Sequence, residues 1–186
     1  MAFQAIGVVG LPGSGKTEVA KAIAGFGIPS IRMGDVVWEE LKRRGQQISE
    51  ENVGKVSNEL RKIEGKGAIA RLCVSPIETH SRDKPAVVVD GIRGLAEVNV
   101  FRDKFGKNFH LIAVWAGEDS RFLRISSRKR DDDPTLRKDF HEKDLRELSW
   151  GLGNAIALSD FMIINDGKLE ELHGKVMTLF KKILEG

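Results

Sequence analysis

The chain has 186 residues, which is enough for one globular domain with a buried core. Its composition, 41% hydrophobic and 31% charged, is typical of a soluble protein, and no apolar stretch approaches the roughly 20 residues of a membrane-spanning helix. The first residues lack a signal-peptide pattern and the single cysteine, Cys73, excludes an internal disulfide, so we expect a cytoplasmic protein. The net charge of +3 suits a protein that handles nucleotides, but it is too small for a dedicated nucleic-acid binder.

Short apolar runs alternate with helical patterns along the chain. Apolar runs bounded by turn residues are typical of buried parallel strands, whereas apolar positions three or four residues apart indicate helices. The first half predicts, in order, a strand at 5–10, a helix at 16–24, a strand at 28–31, a helix at 35–44, a helical stretch at 53–77 that glycines near 65–67 can break, and a strand at 86–89. The second half predicts a helix at 96–105, a strand at 111–115, a helix at 120–130, a helical region at 138–158, a strand at 161–164 and a closing helix over 169–183.

Five strands that alternate with helices predict an α/β fold, in which a parallel sheet is covered on both faces. No internal repeat, low-complexity segment or linker divides the chain. We therefore predict a single domain over residues 1–186.

A phosphate-binding motif follows the first predicted strand. It has the pattern GxxxxGK[ST] and consists of Gly10, Leu11, Pro12, Gly13, Ser14, Gly15, Lys16 and Thr17. Glycines let successive backbone N–H groups turn toward phosphate oxygens, and the next helix presents its positive end to the same anion. In such motifs the lysine reaches the β and γ phosphates and the hydroxyl ligates Mg²⁺. Because the motif lies between a strand and a helix, it predicts a P-loop that binds ATP with Mg²⁺.

An acidic residue ends the apolar strand at 86–89. Asp90 has the position of a Walker B carboxylate, which holds Mg²⁺ through water or contacts the acceptor side of the site; alternatively it caps the next turn. Arg93 follows three residues later and would lie over the carboxyl edge of the sheet, where α/β proteins bind ligands, unless it is a solvated surface residue.

The helix at 120–130 carries a basic stripe. Arg121, Arg124 and Arg128 lie at positions i, i+3 and i+7, so they share one helix face. Phosphoryl transfer uses such groups to neutralise charge on the moving phosphoryl. Pairing with the acidic residues 131–133 is the alternative, and nucleic-acid binding is not favoured because no aromatic side chains are interleaved.

The histidines do not predict a metal site. They are scattered and share no ligand spacing, so we interpret them as structural or surface residues: His80, His110, His141 and His173.

Together these motifs resemble those of the nucleoside monophosphate kinases, adenylate kinase above all, and they are closest to an archaeal branch of small adenylate-kinase-like P-loop proteins. The resemblance covers nearly the whole chain, in the right order. It implies a three-layer P-loop fold with the strand order 2-3-1-4-5, an acceptor-side helical insertion at 35–77, and a short lid at 121–137. It also implies a monomer or homodimer with a small nucleotide as acceptor.

Four further segments carry this resemblance. Met33-Gly34-Asp35 resembles the TGD segment that opens the acceptor-nucleotide helix, although Asp35 can also simply cap that helix. Asp90-Gly91-Ile92-Arg93 resembles the DGFPR motif with one residue missing, and in the family its arginine grips the acceptor phosphate. Arg124-Ile125-Ser126-Ser127-Arg128 matches the lid's RxxxR, whose first arginine packs on the ATP base and whose second contacts phosphates. Arg130-Asp131-Asp132 is loosely similar to a later lid motif.

The chain departs from the family pattern at two acceptor positions. Trp38 stands where the family has its acceptor-phosphate arginine, and a tryptophan can stack on a base but cannot neutralise phosphate. Glu97 replaces the base-reading glutamine, and a carboxylate would favour a base edge rich in N–H donors, such as guanine or cytosine.

The carboxyl-terminal part of the chain has a different resemblance. The segment from Ser159-Asp160 to Asn165-Asp166-Gly167 is reminiscent of the last strand and adenine-contacting loop of dephospho-coenzyme A kinases.

The leading prediction is a kinase that moves the γ-phosphoryl of ATP onto a nucleotide or nucleotide-like acceptor. Two alternatives stay open: an ATPase or nucleotide-sensing module with a macromolecular partner such as RNA, and a kinase that acts on a coenzyme hydroxyl.

Overall fold

The computed structural model describes residues 2–128 and 134–185. Within these ranges the strands are β1 (Gln4–Val9), β2 (Ser30–Arg32), β3 (Ala86–Asp90), β4 (Phe109–Trp115) and β5 (Phe161–Ile164). The helices are α1 (Lys16–Ala24), α2 (Met33–Arg43), α3 (Glu50–Glu64), α4 (Ala68–His80), α5 (Leu95–Phe105), α6 (Glu118–Arg128), α7 (Arg137–Ser149), α8 (Leu152–Ala157) and α9 (Leu169–Glu185).

The five strands form one parallel sheet in the order β2-β3-β1-β4-β5, which confirms the predicted fold. The central strand β1 lies between β3 and β4, and Gly7 is level with both Val89 and Leu111. Because parallel strands end at the same edge of a sheet, the residues after β1, β3 and β4 are brought together there.

Helices cover both faces of the sheet, as the apolar strands require. On one face, Val9 and Val87 pack with buried residues of α2 to α5 and α8. On the other, Val8 and Val88 pack with α1 and α9. The alternation of side chains along each strand therefore divides the core into two layers, one on each side of the sheet.

Two helix boundaries, at the start of α2 and within 138–158, differ from those predicted, whereas the break near 65–67 agrees with the prediction. α2 begins at Met33 with Arg32 at its N-cap, so the interpretation of Asp35 as the helix cap is wrong; Asp35 lies in the first turn instead. α3 ends at Gly65, where φ is 84°, and this glycine separates α3 from α4. Gly151 divides the predicted region at 138–158 into α7 and α8. Over the described ranges, no helix combines the length and apolarity needed to cross a membrane.

Candidate nucleotide-binding and phosphoryl-transfer site

The loop between β1 and α1 has the curled backbone that its glycines predict. Gly13 and Gly15 have φ values of 79° and 102°, which side chains rarely allow. At Gly13 the space is also filled, because a Cβ atom there would lie 2.6 Å from the carbonyl oxygen of Arg121. The loop is therefore shaped by backbone geometry and by close contact with α6.

Lys16 is folded into this loop. Its Nζ donates hydrogen bonds to the carbonyl oxygens of Gly10 and Leu11 at 2.6 and 3.0 Å. Burial lowers the pKa of Lys16 to about 8, although the nearby Asp90 carboxylate opposes the shift. The hydroxyl of Ser14 is buried and has no hydrogen-bond partner in the described part of the chain. A partly buried ammonium and an unsatisfied hydroxyl beside a helix N-terminus fit the phosphates of a nucleotide.

Most of the predicted donor-site residues border one open cleft of about 580 Å³. Those whose side chains were assigned a chemical role are Lys16, Thr17, Asp90, Arg93, Arg124 and Arg128. Asp90 reaches this cleft because it ends β3 directly beside β1, opposite Val8. The roles assigned to these residues stay predictions, but the fold brings them to one place.

The basic stripe of α6 divides into two kinds of arginine. Arg121 is buried and forms a two-point ion pair with Asp144 of α7, at 2.7 and 2.9 Å, while its Nη1 donates to the Pro12 carbonyl at 3.2 Å. Arg121 therefore links α6, α7 and the P-loop and is not aimed at a ligand. Residues 129–133, which include the acidic run and the loose Arg130-Asp131-Asp132 motif, lie outside the described residues.

Arg124 lies between the P-loop and the loop that follows β5. Its Nη2 donates to the Asn165 carbonyl at 2.7 Å and its Nη1 to the Gly13 carbonyl at 3.4 Å. Asn165 in turn donates from Nδ2 to the Ser14 carbonyl at 2.8 Å, and Asp166 accepts the Gly117 N–H at 2.9 Å. The segment with similarity to dephospho-coenzyme A kinases thus packs directly against the P-loop.

Sequence analysis missed the charged residues that α7 contributes to the cleft, Lys143 and Glu147. With the buried Phe140 and Asp144 they lie at helical spacing on one face. That spacing was the available signal, but charged residues alone do not reveal which face of a helix is turned inward.

Mg²⁺ fits the same cleft. Among the described residues, no three side chains of His, Cys, Asp or Glu converge to hold a metal ion by themselves. Mg²⁺ at nucleotide sites is held largely by phosphate oxygens and water with one or two protein groups. Thr17 and Asp90, which both border the cleft, are suited to this limited role.

A second cavity, of about 430 Å³, adjoins the cleft at Arg93. The guanidinium of Arg93 lies over the ring of Trp150, 5.1 Å from its centroid, and its Nη1 is 3.6 Å from Glu147. Arg93 borders both spaces, although its side chain is 51% exposed, so its role at the site stays a prediction.

Glu97 lines this second cavity, and its carboxylate is engaged with Arg93 and Arg61 of the cavity wall. Its side chain is 5% exposed, its Oε2 accepts the Arg93 N–H at 2.7 Å and its Oε1 is 3.7 Å from Arg61. Burial raises the pKa of Glu97, while the Arg93 N–H and the Arg61 charge lower it.

Asp35 and Trp38 border neither space; their assignment to the acceptor stays a prediction.

Asp35 and Trp38 both interact with Arg32. The Arg32 guanidinium lies 5.6 Å from the Trp38 ring centroid and 3.8 Å from Asp35 Oδ1. That oxygen is buried and has no hydrogen-bond partner among the described residues.

The fold and the site define a P-loop protein with a kinase-like architecture. A family model described as "AAA domain" matches residues 9–138. The chain belongs to the UPF0200 family: it is 44% identical to a UPF0200 protein of Thermococcus onnurineus, over 95% of this chain and 96% of that protein. It is also 42% identical to a protein of Archaeoglobus fulgidus named UPF0200/UPF0201, over 97% of this chain but 56% of that protein.

Solved structures with the same fold include several kinases. The dephospho-CoA kinase of Campylobacter jejuni has a TM-score of 0.67 at 12% identity, with 99% of this chain and 98% of that chain covered. The shikimate kinase of Bacteroides thetaiotaomicron has a TM-score of 0.59 at 14% identity, with 96% and 98% covered. At these identities the similarity shows the fold alone.

Proposed function

We propose that the protein is an ATP-dependent phosphotransferase that acts on a nucleotide or nucleotide-like small molecule. The observation that carries the proposal is the position of Arg93, which borders both the P-loop cleft and the second cavity. A donor in the cleft and an acceptor in the cavity would meet at this guanidinium. Positioning of this kind, with charge stabilisation, accounts for most of the catalysis in phosphoryl transfer.

The proposal gives each group of residues in the cleft a separate role. The loop amides and Lys16 would hold the β and γ phosphates, and Thr17 with Asp90 would hold Mg²⁺, which supplies further charge neutralisation. Arg93, Arg124 and Arg128 would stabilise the transferring phosphoryl. On the acceptor side, the segment that contains α2, α3 and α4 would close over the bound molecule and exclude water.

Two features support this class of activity. Kinases of shikimate and dephospho-coenzyme A share the fold over nearly the whole chain. The loop after β5, which resembles that of dephospho-coenzyme A kinases, contacts the P-loop through Asn165. The adenylate-kinase-like resemblance favours a nucleoside monophosphate as acceptor, whereas this loop favours a coenzyme hydroxyl.

A coupled assay of ADP release tests the proposal. The panel contains the nucleoside monophosphates and dephospho-coenzyme A, each with MgATP, and Lys16→Ala serves as the inactive control. We expect at least one acceptor to raise ADP release well above the rate with MgATP alone. If no acceptor does so, while ATP still binds, the phosphotransferase proposal is wrong.

A second candidate is an ATPase or nucleotide-sensing module that works with a macromolecular partner. One observation favours it: in the Archaeoglobus relative the matched region is only 56% of the protein, so further sequence is joined to it there. This candidate predicts ATP hydrolysis that no small acceptor accelerates and that a protein or RNA partner stimulates. The same panel, repeated with added RNA, separates the two candidates.

A further inference from the structure

The second cavity carries an excess of positive charge. Four of its lining side chains are cationic: Arg61 and Lys62 at the end of α3, Lys66 in the turn after it, and Arg93 after β3. Glu97 supplies the single carboxylate in that lining. Like charges around one concave space repel each other unless an anion enters.

The backbone holds the turn that carries Lys66 close to α5, which contributes the opposite wall of the cavity. A Cβ atom on Gly67 would lie 2.7 Å from Val100 Cγ2 and 3.2 Å from the Ala96 carbonyl oxygen, so only glycine allows this approach to α5. Gly65, with φ at 84°, ends α3 immediately before the turn. The cations of α3 and the turn therefore face the segment that follows β3 across the cavity.

The two lysines of this lining carry charge that no described carboxylate offsets. In the described part of the chain neither Lys62 nor Lys66 forms an ion pair, and both are exposed at the cavity rim. Arg61 has only a long contact, 3.7 Å, with Glu97. In contrast, Lys55 on the same α3 helix is paired with Glu51 and lies away from the cavity.

We propose that Arg61, Lys62 and Lys66 form an anion-binding subsite for a phosphate monoester carried by the acceptor. The positive charge here comes from α3 and the turn after it, because no residue of α2, Trp38 included, borders either space. Trp150, already packed on Arg93, forms the apolar wall against which the rest of the acceptor lies. The description of the ligand as an acceptor rests on the proposed phosphotransferase function, whereas the binding of a phosphate monoester does not.

Calorimetry with the P-loop filled tests the subsite. The full chain is first saturated with Mg²⁺ and a non-hydrolysable ATP analogue, so that the probes report on the second cavity. The phosphorylated probes are nucleoside monophosphates, which carry a phosphate monoester, and the matched nucleosides are the phosphate-free probes. Dephospho-coenzyme A, whose two phosphates form a bridge without a monoester, is the comparison for an anion of another kind. We expect at least one phosphorylated probe to bind, and its nucleoside to bind at least tenfold more weakly.

The variants locate the binding. In Lys62→Gln/Lys66→Gln we expect the dissociation constant of the phosphorylated probe to rise about tenfold, because each of these two exposed charges attracts the phosphate only modestly through solvent. Lys55→Gln, the matched control, leaves it unchanged. Both cavity lysines are exposed, so the melting temperature of the double variant should equal that of the wild type.

Failure of the subsite and failure of the proposed function are distinguishable. Equal affinity of the double variant and the wild type, equal affinity for nucleoside and monophosphate, or no binding of any phosphorylated probe overturns the subsite. Binding that depends on the lysines without any acceptor-dependent ADP release supports the subsite and overturns the phosphotransferase proposal. Acceptor-dependent turnover that is the same in the double variant and the wild type supports the phosphotransferase proposal and overturns the subsite.

Discussion

At the residue scale, the most informative group is the ammonium of Lys16. Burial lowers its pKa to about 8, although the ammonium donates hydrogen bonds to the carbonyls of Gly10 and Leu11. A bound triphosphate would favour the charged form and raise this pKa again. Binding of ATP above pH 8 must therefore be accompanied by proton uptake.

This linkage makes the ATP affinity depend on pH. Since only protonated Lys16 attracts the phosphates, we expect the dissociation constant of MgATP to rise as pH increases through about 8, by up to tenfold per pH unit. Titration calorimetry between pH 7 and 9.5, in buffers of different ionisation enthalpy, measures the constant and the protons taken up. Lys16→Arg, whose guanidinium stays charged, should lose the pH dependence. A constant affinity across this range in the wild type contradicts the account.

Arg124 provides a second test at this scale. Its guanidinium is held between Gly13 and Asn165, so it is pre-oriented at the edge of the cleft. We expect Arg124→Ala to lower kcat by about a hundredfold, as loss of one charge-stabilising donor does in other enzymes, with a KM for ATP raised less than about tenfold. Arg146→Ala, an exposed arginine of α7 outside both spaces, is the control. A raised KM at unchanged kcat would assign Arg124 to ATP binding alone.

The sequence located the residues of the site best where they are contiguous in the chain. The P-loop is one contiguous motif whose glycines and lysine have few other uses together, so the pattern identified it. The stripe of Arg121, Arg124 and Arg128 was grouped by spacing alone, and Arg121 was separated from the others only by its contact with Asp144, 23 residues away. Spacing on a helix does not reveal which distant side chain meets each position.

At the element scale, the buried pair of Arg121 and Asp144 ties α6 to α7. The two side chains are 6% and 8% exposed. Removing one partner of a buried pair leaves an uncompensated charge, so we expect Asp144→Asn to lower the free energy of unfolding by about 3 kcal/mol. Urea unfolding followed by circular dichroism measures the loss.

The same two helices offer a matched control. Asp119 of α6 and Arg137 of α7 form an ion pair at 2.6 Å, but their side chains are 80% and 57% exposed. We expect Asp119→Asn to change the free energy of unfolding by less than about 1 kcal/mol, because solvent screens this pair. Similar losses in the two variants would show that Arg121–Asp144 does not hold the helices together.

Element types were predicted well because the buried strands have an unmistakable apolar pattern. The boundary of α2 was wrong for a physical reason: the chain passes from β2 directly into the helix at Met33, whose side chain is buried. An acidic residue near a helix start suggests a cap. Asp35 lies in the first turn, where a negative charge is also favoured by the helix dipole.

At the scale of the whole molecule, the sheet order explains why the cleft and the second cavity meet. β3 lies next to β1, so the turn that carries Arg93 begins beside the P-loop. The second cavity combines residues 58–66, 93–97 and 150. No local pattern connects segments so distant in sequence, and for that reason the cavity and its lysines were not predicted.

The central claim is that phosphoryl transfer takes place where these two spaces meet. The most direct measurement is the fate of the γ-phosphoryl of labelled MgATP in a single turnover, with each candidate acceptor from the panel. The account predicts that the label appears on an acceptor, and that in Arg93→Ala this transfer is lost while MgATP still binds. Label that appears only as inorganic phosphate, at a rate that no acceptor changes, would contradict it.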